Sequence, residues 1–159
     1  MIAPLLATLA LAAPAADLNA LFAGDLPQVR AKTRLAILLP DEMPTTTEKL
    51  YASAYGKRDS YAFDLAGSPD CGGATACFEA EFSAVKGGRP FGRGKATLIR
   101  GRHGRYQPRS CGASCSPPQI SWRERGATHR IQADVEDETH SARRILVKMA
   151  NEAIKRGPR

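Results

Sequence analysis

Between residues 34 and 135 the chain alternates short runs of apolar and polar side chains with turn residues. In residues 60–66, Tyr61, Phe63 and Leu65 recur at every second position, as in a half-buried strand. The predicted strands are residues 34–40, 49–55, 60–66, 76–85, 95–100, 105–109, 119–123 and 127–135. The predicted turns are residues 56–59, 86–90, 101–104 and 124–126. Short strands joined by hairpin-type turns predict a mostly antiparallel sheet.

Two segments are typical of helices instead. Residues 138–156 carry apolar side chains at helical spacing, with Asp137 as the predicted N-cap and Gly157 and Pro158 as the stop. Residues 17–28 predict a shorter helix that ends at Pro27. The predicted fold is therefore α+β: an antiparallel sheet of short strands with a C-terminal amphipathic helix packed on one face.

The four cysteines favour two local disulfides, Cys71–Cys77 and Cys111–Cys115, because each pair brackets a glycine-containing loop. Each short closure would stabilise the fold by about 2 kcal/mol on the chain-entropy model. Four cysteines allow two other pairings. The alternatives are a four-thiolate zinc site, which more often uses C-x2-C spacing, and a redox-active pair at residues 111 and 115.

Residues 1–16 resemble a signal peptide, with one mature domain over residues 17–159. Residues 2–16 carry no charge, and Ala15 and Ala16 are small residues suited to cleavage before Asp17. No lysine or arginine precedes the apolar run, so the signal would be atypical or the start codon misplaced; the alternative is a buried N-terminal helix. No stretch is apolar enough to predict a transmembrane helix. The expected location is the periplasm or the exterior.

Positive charge concentrates in the middle of the chain. Residues 86–130 hold eleven basic side chains, nine of them arginine, against one acidic side chain, whereas the whole chain carries a net charge of +7. Arginine suits bidentate contacts with phosphate and carboxylate. The predicted binding residues are Arg100, Arg102, Arg105 and Arg109. The alternative is a solvated arginine-rich surface in a high-GC genome. Few aromatic residues accompany this charge, so no specific nucleic acid is expected.

Catalytic motifs are not evident in the sequence. The three histidines show no metal-ligand spacing, and there is no nucleophile elbow or phosphate loop. No catalytic residue, metal or cofactor is therefore predicted. A small secreted hydrolase would need an acid–base pair, such as Glu124 with His103 or His129.

Several stretches resemble a family of secreted, mostly uncharacterised bacterial and cyanobacterial proteins. The most specific is the Cys-Gly-Ala-Ser-Cys element at residues 111–115. The others are residues 38–40 with 43–44, 73–77, 120–122 and 149–154. The resemblance implies an exported α+β domain with two local disulfides and implies no activity.

Three functional hypotheses follow. The first is an exported, non-enzymatic domain that binds an anionic envelope component or an acidic protein through its arginines. The second is a structural, accessory or inhibitor-type envelope protein without a small ligand. The third is a small secreted hydrolase.

Overall fold

The computed structural model describes residues 14–135 and 141–159 and centres on one seven-stranded antiparallel sheet. In chain order the elements are β1 (Ala15–Asp17), α1 (Leu18–Leu21), α2 (Leu26–Lys32), β2 (Glu42–Pro44), β3 (Tyr51–Lys57), β4 (Ser60–Ala66), β5 (Phe78–Lys86), β6 (Gly94–Thr97), a one-turn 3-10 helix (Ile99–Gly101), β7 (His103–Gln107), β8 (Ser110–Cys111), β9 (Cys115–Ser116), β10 (Gln119–Glu124), β11 (Ala127–Ala133) and α3 (Ala142–Arg156).

The order of strands in the main sheet is β3-β4-β5-β11-β10-β7-β6. The β3–β4 and β10–β11 pairs are the predicted hairpins, and every pairing in the sheet is antiparallel. β6 follows β5 along the chain, but the two strands are not neighbours in the sheet. Because β11 pairs with β5, three strands lie between them: β11, β10 and β7. The connection from β5 to β6 must therefore cross three strands.

The two faces of the sheet differ in polarity. One face, here called the core face, carries a row of buried apolar side chains that includes Phe63, Phe82, Ile131 and Ile120. The opposite face, here called the open face, carries mainly polar and small side chains. One of its rows across the sheet is Tyr55, Ala62, Ser83, Arg130, Ser121, Arg105 and Lys95.

The C-terminal helix α3 packs on the core face against β10 and β11, as the sequence predicts. Its buried side chains are Ala142, Leu146, Met149, Ala150, Ala153 and Ile154. The predicted start was wrong: Ser141 caps the helix, with its hydroxyl accepting from the Arg144 amide. Asp137 lies outside the described residues.

The N-terminal region contains two helices where the sequence predicts one. Asp17 caps α1 through bonds from the amides of Asn19 and Ala20. Pro27 lies in the first turn of α2 and does not end a helix, because the missing amide is tolerated there. Phe22 inserts between α1 and the sheet, with its ring 5.0 Å from that of Phe63.

The apolar run at residues 34–40 is buried but is not a strand, which corrects the prediction. Ile37, Leu38 and Leu39 fill the core beneath the sheet. Their backbone groups bond elsewhere: the Leu38 amide donates to the Tyr61 hydroxyl, and the Ile37 carbonyl accepts from the Arg159 amide. Burial therefore explains the composition of this run.

The strand predicted at residues 95–100 is also shorter than expected. It ends at Thr97, and Arg100 adopts a left-handed conformation with φ of 57° in the 3-10 turn. Strand β7 then begins at His103, inside the predicted turn at residues 101–104. The tight turn is thus formed by residues 99–102, where the Arg102 amide donates to the Ile99 carbonyl.

Both predicted disulfides, Cys71–Cys77 and Cys111–Cys115, are formed. All four cysteines are consumed, so the zinc-site alternative is wrong. The first bridge closes the loop between β4 and β5, and the second joins β8 to β9.

The predicted signal peptide lies mostly outside the described residues, which begin at Pro14. Its expected cleavage positions, after Ala15 or Ala16, fall within β1, which pairs with β2. Within residues 14–135 and 141–159, no helix has the length and apolar character needed to cross a membrane.

Candidate ligand-binding face of the sheet

Residues 87–93, here called the strap, make the crossing from β5 to β6 on the open face. The Ser121 hydroxyl accepts from the Phe91 amide at 2.7 Å and donates to the Phe91 carbonyl at 2.9 Å. At the two ends, the Thr128 hydroxyl donates to the Gly87 carbonyl, and the Arg93 amide donates to the Gln107 side chain. The strap therefore covers β11, β10 and β7 and leaves β3, β4 and β5 uncovered.

Five cations gather around the strap on the open face, and together they are here called the basic surface. Lys95 and Arg105 are directly opposite each other on β6 and β7. Arg89 and Arg93 lie on the strap, and Arg123 on β10 donates to the Gly88 carbonyl. Among the described residues, none of the five forms an ion pair with a carboxylate. This surface thus carries uncompensated positive charge.

The four arginines predicted from the sequence do not form one group. Arg105 lies on the open face within the basic surface, and Arg100 is exposed on the 3-10 turn. Arg102 forms a bidentate ion pair with Glu124, and Arg109 pairs with Asp134. A binding role for Arg100, Arg102 and Arg109 stays a prediction, and Arg105 links that prediction to the basic surface.

Beside the strap, the uncovered part of the open face forms a hollow of about 410 Å³. Tyr55, Val85 and Phe91 line it with 52%, 50% and 60% of their surfaces exposed. They are the large apolar side chains that remain most exposed in the described part of the chain. Small hydroxyl side chains and charged groups complete the lining, among them Ser60, Ser83, Thr128, Arg89, Arg130 and Glu81.

A charged cluster borders this hollow. Glu81 is ion-paired with Arg130 and is directly opposite Asp64 on the neighbouring strand. Burial and the nearby Glu81 carboxylate raise the pKa of Asp64 to about 6, although Arg130 opposes the shift. Asp64 itself lines a second hollow of about 370 Å³ beside the Cys71–Cys77 loop. Asp64 thus lines a different hollow from Arg89, whereas Glu81 lines the same one as Arg89.

Of the two histidine pairs suggested for a hydrolase, Glu124 and His129 are close enough to interact electrostatically, but each has another structural contact. His129 lies in the core with 1% exposure, stacked 5.6 Å from the Trp122 ring. Burial lowers its pKa to about 4. Arg102 donates two hydrogen bonds to the Glu124 carboxylate and holds the pKa of Glu124 below its usual value. His103 is on the open face, opposite to the side on which Glu124 lies, because strand side chains alternate.

A hydrogen bond joins the Tyr61 hydroxyl to His129. The Tyr61 oxygen lies 3.1 Å from the His129 Nδ1 atom and accepts from the Leu38 amide at 3.0 Å. Tyr61 thus connects His129 to the buried segment at residue 38. Residues Tyr61, His129 and Trp122 thus form a buried structural cluster.

Another hollow, of about 870 Å³, lies between α2, α3 and residue 41. Four cations and two carboxylates line it, and Arg156 and Arg159 both contact the Asp41 carboxylate. Arg159 also donates to the carbonyls of Leu39 and Pro40, so it joins the end of the chain to the N-terminal segment. These contacts of Arg159 make the region a structural junction, whereas the hollow on the open face adjoins the basic surface through Arg89.

Comparison with known proteins adds no functional assignment. No protein-family model, no curated protein and no solved structure matches this chain.

The sequence gives only partial signals for this face. Alternation places Tyr55 on the polar side of its strand, which is visible before the structure is known. The placement of Phe91 beside the hollow is not visible, because residues 86–90 indicate only a turn. Its position over Ser121 follows from the nonlocal insertion of β11 and β10 beside β5.

Proposed function

We propose that this protein is an exported, non-enzymatic domain that binds an anionic ligand of the cell envelope on the open face of its sheet. The observation that carries the proposal is the basic surface: five cations around the strap, without an ion-pairing carboxylate among the described residues. Uncompensated like charges on one surface raise the local concentration of anions.

The export part of the proposal is supported by two features. Disulfides persist mainly in oxidising compartments, and this chain uses all four of its cysteines in them. The first sixteen residues have the apolar run and small residues of a signal peptide. Anionic polymers and lipid phosphates are abundant in that compartment, and both are chemically suited to arginine.

The test removes three cations of the basic surface that hold no described side-chain contact: Arg93→Gln, Lys95→Gln and Arg105→Gln. The control removes the same charge at the opposite edge of the sheet: Arg34→Gln, Lys57→Gln and Arg58→Gln. All six side chains belong to exposed residues. Binding to soluble heparin is measured from 50 mM to 500 mM salt by calorimetry.

The basic-surface variant should elute from heparin resin at lower salt, and the slope of log Kd against log salt should fall by up to about three. The control should keep the wild-type slope. Equal losses in the two variants would show that net charge alone causes binding, and an unchanged basic-surface variant would overturn the proposal.

A further inference from the structure

We infer that the hollow beside the strap binds an acidic oligosaccharide, with sugar rings against Tyr55 and Phe91 and a carboxylate near Arg89. This inference rests on the proposed function and names the chemical class of its ligand. It follows from the shape of the hollow, the nature of its lining and the distribution of charge within it.

The spacing of the aromatic side chains points to an extended ligand. Tyr55 projects from β3, while Phe91 is held over β10 by Ser121. The backbones of these strands are four strand spacings apart in the sheet order, about 19 Å along the row. Both side chains line the one hollow between these backbones. A ligand that follows the floor from β3 to the strap, across β4, β5 and β11, is therefore elongated, as an oligosaccharide is.

The floor of the hollow between the two aromatic side chains can form hydrogen bonds with the hydroxyl groups of a ligand. The same row of the sheet has Ala62, Ser83 and Arg130 between Tyr55 and Ser121. Small side chains leave the floor low, and Ser60 and Ser83 offer hydroxyls to a ligand. Exposed aromatic rings pack against the apolar C–H face of a pyranose, while its edges need polar partners.

The charges of the hollow admit an anion. Arg89 lies on its lining, and the Arg130–Glu81 pair on its floor is compensated, so the lining has one net positive charge, from Arg89. A carboxylate and a phosphate suit Arg89 equally. The hydroxyl-lined floor therefore favours a saccharide over a nucleic acid, because serine hydroxyls exchange hydrogen bonds with sugar hydroxyls. An acyl chain would exclude solvent from the Ser60 and Ser83 hydroxyls, for which the structure describes no side-chain hydrogen bond.

The test uses defined probes with the wild-type protein. Tetragalacturonate is an acidic tetrasaccharide, maltotetraose is its neutral counterpart, and dT8 is a stacking polyanion. Calorimetry gives Kd, and two-dimensional amide NMR locates the site. Tetragalacturonate should bind at least about tenfold more tightly than maltotetraose and shift the amides of Ser83 and Phe91. Equal affinity for the neutral probe, or tighter binding of dT8, would overturn the inference.

Three variants locate the contacts. Tyr55→Ala and Phe91→Ala should each weaken tetragalacturonate binding about tenfold, the effect of losing ~1.4 kcal/mol of ring contact. Arg89→Gln should reduce the preference for tetragalacturonate over maltotetraose. Tyr51→Ala is the matched control, because Tyr51 lies on the same strand and face but lines the second hollow. It should stay within about twofold of wild type.

The two proposals fail in distinguishable ways. Unchanged tetragalacturonate affinity in both aromatic variants would remove the saccharide site, while salt-dependent heparin binding would keep the proposed function. Unchanged heparin binding in the Arg93, Lys95 and Arg105 variant would overturn the proposed function, whatever the affinity for tetragalacturonate, because these three residues do not line the hollow. Thermal unfolding of each variant checks that the exposed substitutions leave the fold intact.

Discussion

At the residue scale, the buried His129 makes the free energy of unfolding depend on pH. Its pKa is about 4 in the folded state and near 6.5 when unfolded, so the unfolded chain takes up a proton first as pH falls. The stabilisation is complete above pH 6.5 and is lost as pH falls towards 4. The loss should reach about 3 kcal/mol, because one pKa unit corresponds to ~1.4 kcal/mol.

The measurement is urea unfolding from pH 7.5 to pH 4 for wild type and His129→Gln. The variant should lose this part of the pH dependence, although it will be less stable at neutral pH because the Tyr61 contact is altered. Because the pKa of Asp64 is raised in the folded state, its protonation makes the fold more stable as pH falls and opposes the effect of His129. Asp64 is present in both proteins, so this contribution is the same in each. His103→Gln, at an exposed position, should retain the wild-type profile; identical profiles for wild type and His129→Gln would contradict the assignment.

Single arginines show why residue roles were hard to predict. Arg102 and Arg109 are indistinguishable from Arg105 in sequence, since all three belong to one basic stretch. Their partners, Glu124 and Asp134, come from later segments of the chain. Pairing decides which cations are compensated, and pairing depends on sheet order, which local composition does not contain.

At the element scale, the strap should depend on Gly92. Gly92 has φ of 134°, and a Cβ atom there would lie 2.7 Å from the carbonyl carbon and oxygen of Tyr106. Gly92→Ala should therefore cost about 3 kcal/mol or more, from backbone strain together with overpacking. The control Gly87→Ala, with φ of 68° and open space around it, should cost only about 1 kcal/mol.

Urea unfolding measures both costs, and hydrogen exchange of the Phe91 amide measures whether the strap is displaced. Exchange should accelerate in Gly92→Ala and not in Gly87→Ala, because only the first substitution pushes the strap away from β7. Equal costs and equal exchange rates in the two variants would mean that the strap is not pressed against the sheet.

The elements themselves were largely predictable, and their boundaries and connections were not. Period-two alternation identified the β3–β4 and β10–β11 hairpins, since one face of each is buried. Residues 34–40 were mistaken for a strand because burial alone produces the same composition. The sequence predicts a turn at residues 86–90, since the glycines and proline there specify local backbone geometry but not the strands that the strap crosses.

At the scale of the whole molecule, the disulfides reinforce loops around a sheet that has its own core. Each bridge closes a short segment and connects no distant elements. Loss of both should therefore lower the free energy of unfolding by about 4 kcal/mol and leave a foldable domain.

Export would shorten the N-terminal region of the fold. Cleavage after Ala16 removes most of β1. The Asp17 cap and the bond from the Leu18 amide to the Asp41 carbonyl would remain, so the processed chain should keep α1 in place.

Intact mass of protein recovered from the periplasm tests export and oxidation together. The expected mass begins at Ala16 or Asp17, is lower by four hydrogens than that of the reduced chain and does not change on thiol alkylation. Reduction and alkylation should then shift the urea midpoint to lower concentration while the transition stays cooperative. A full-length mass with four alkylated thiols would contradict export. It would also remove the compartment argument for an envelope saccharide, because the open face would then meet cytosolic polyanions instead.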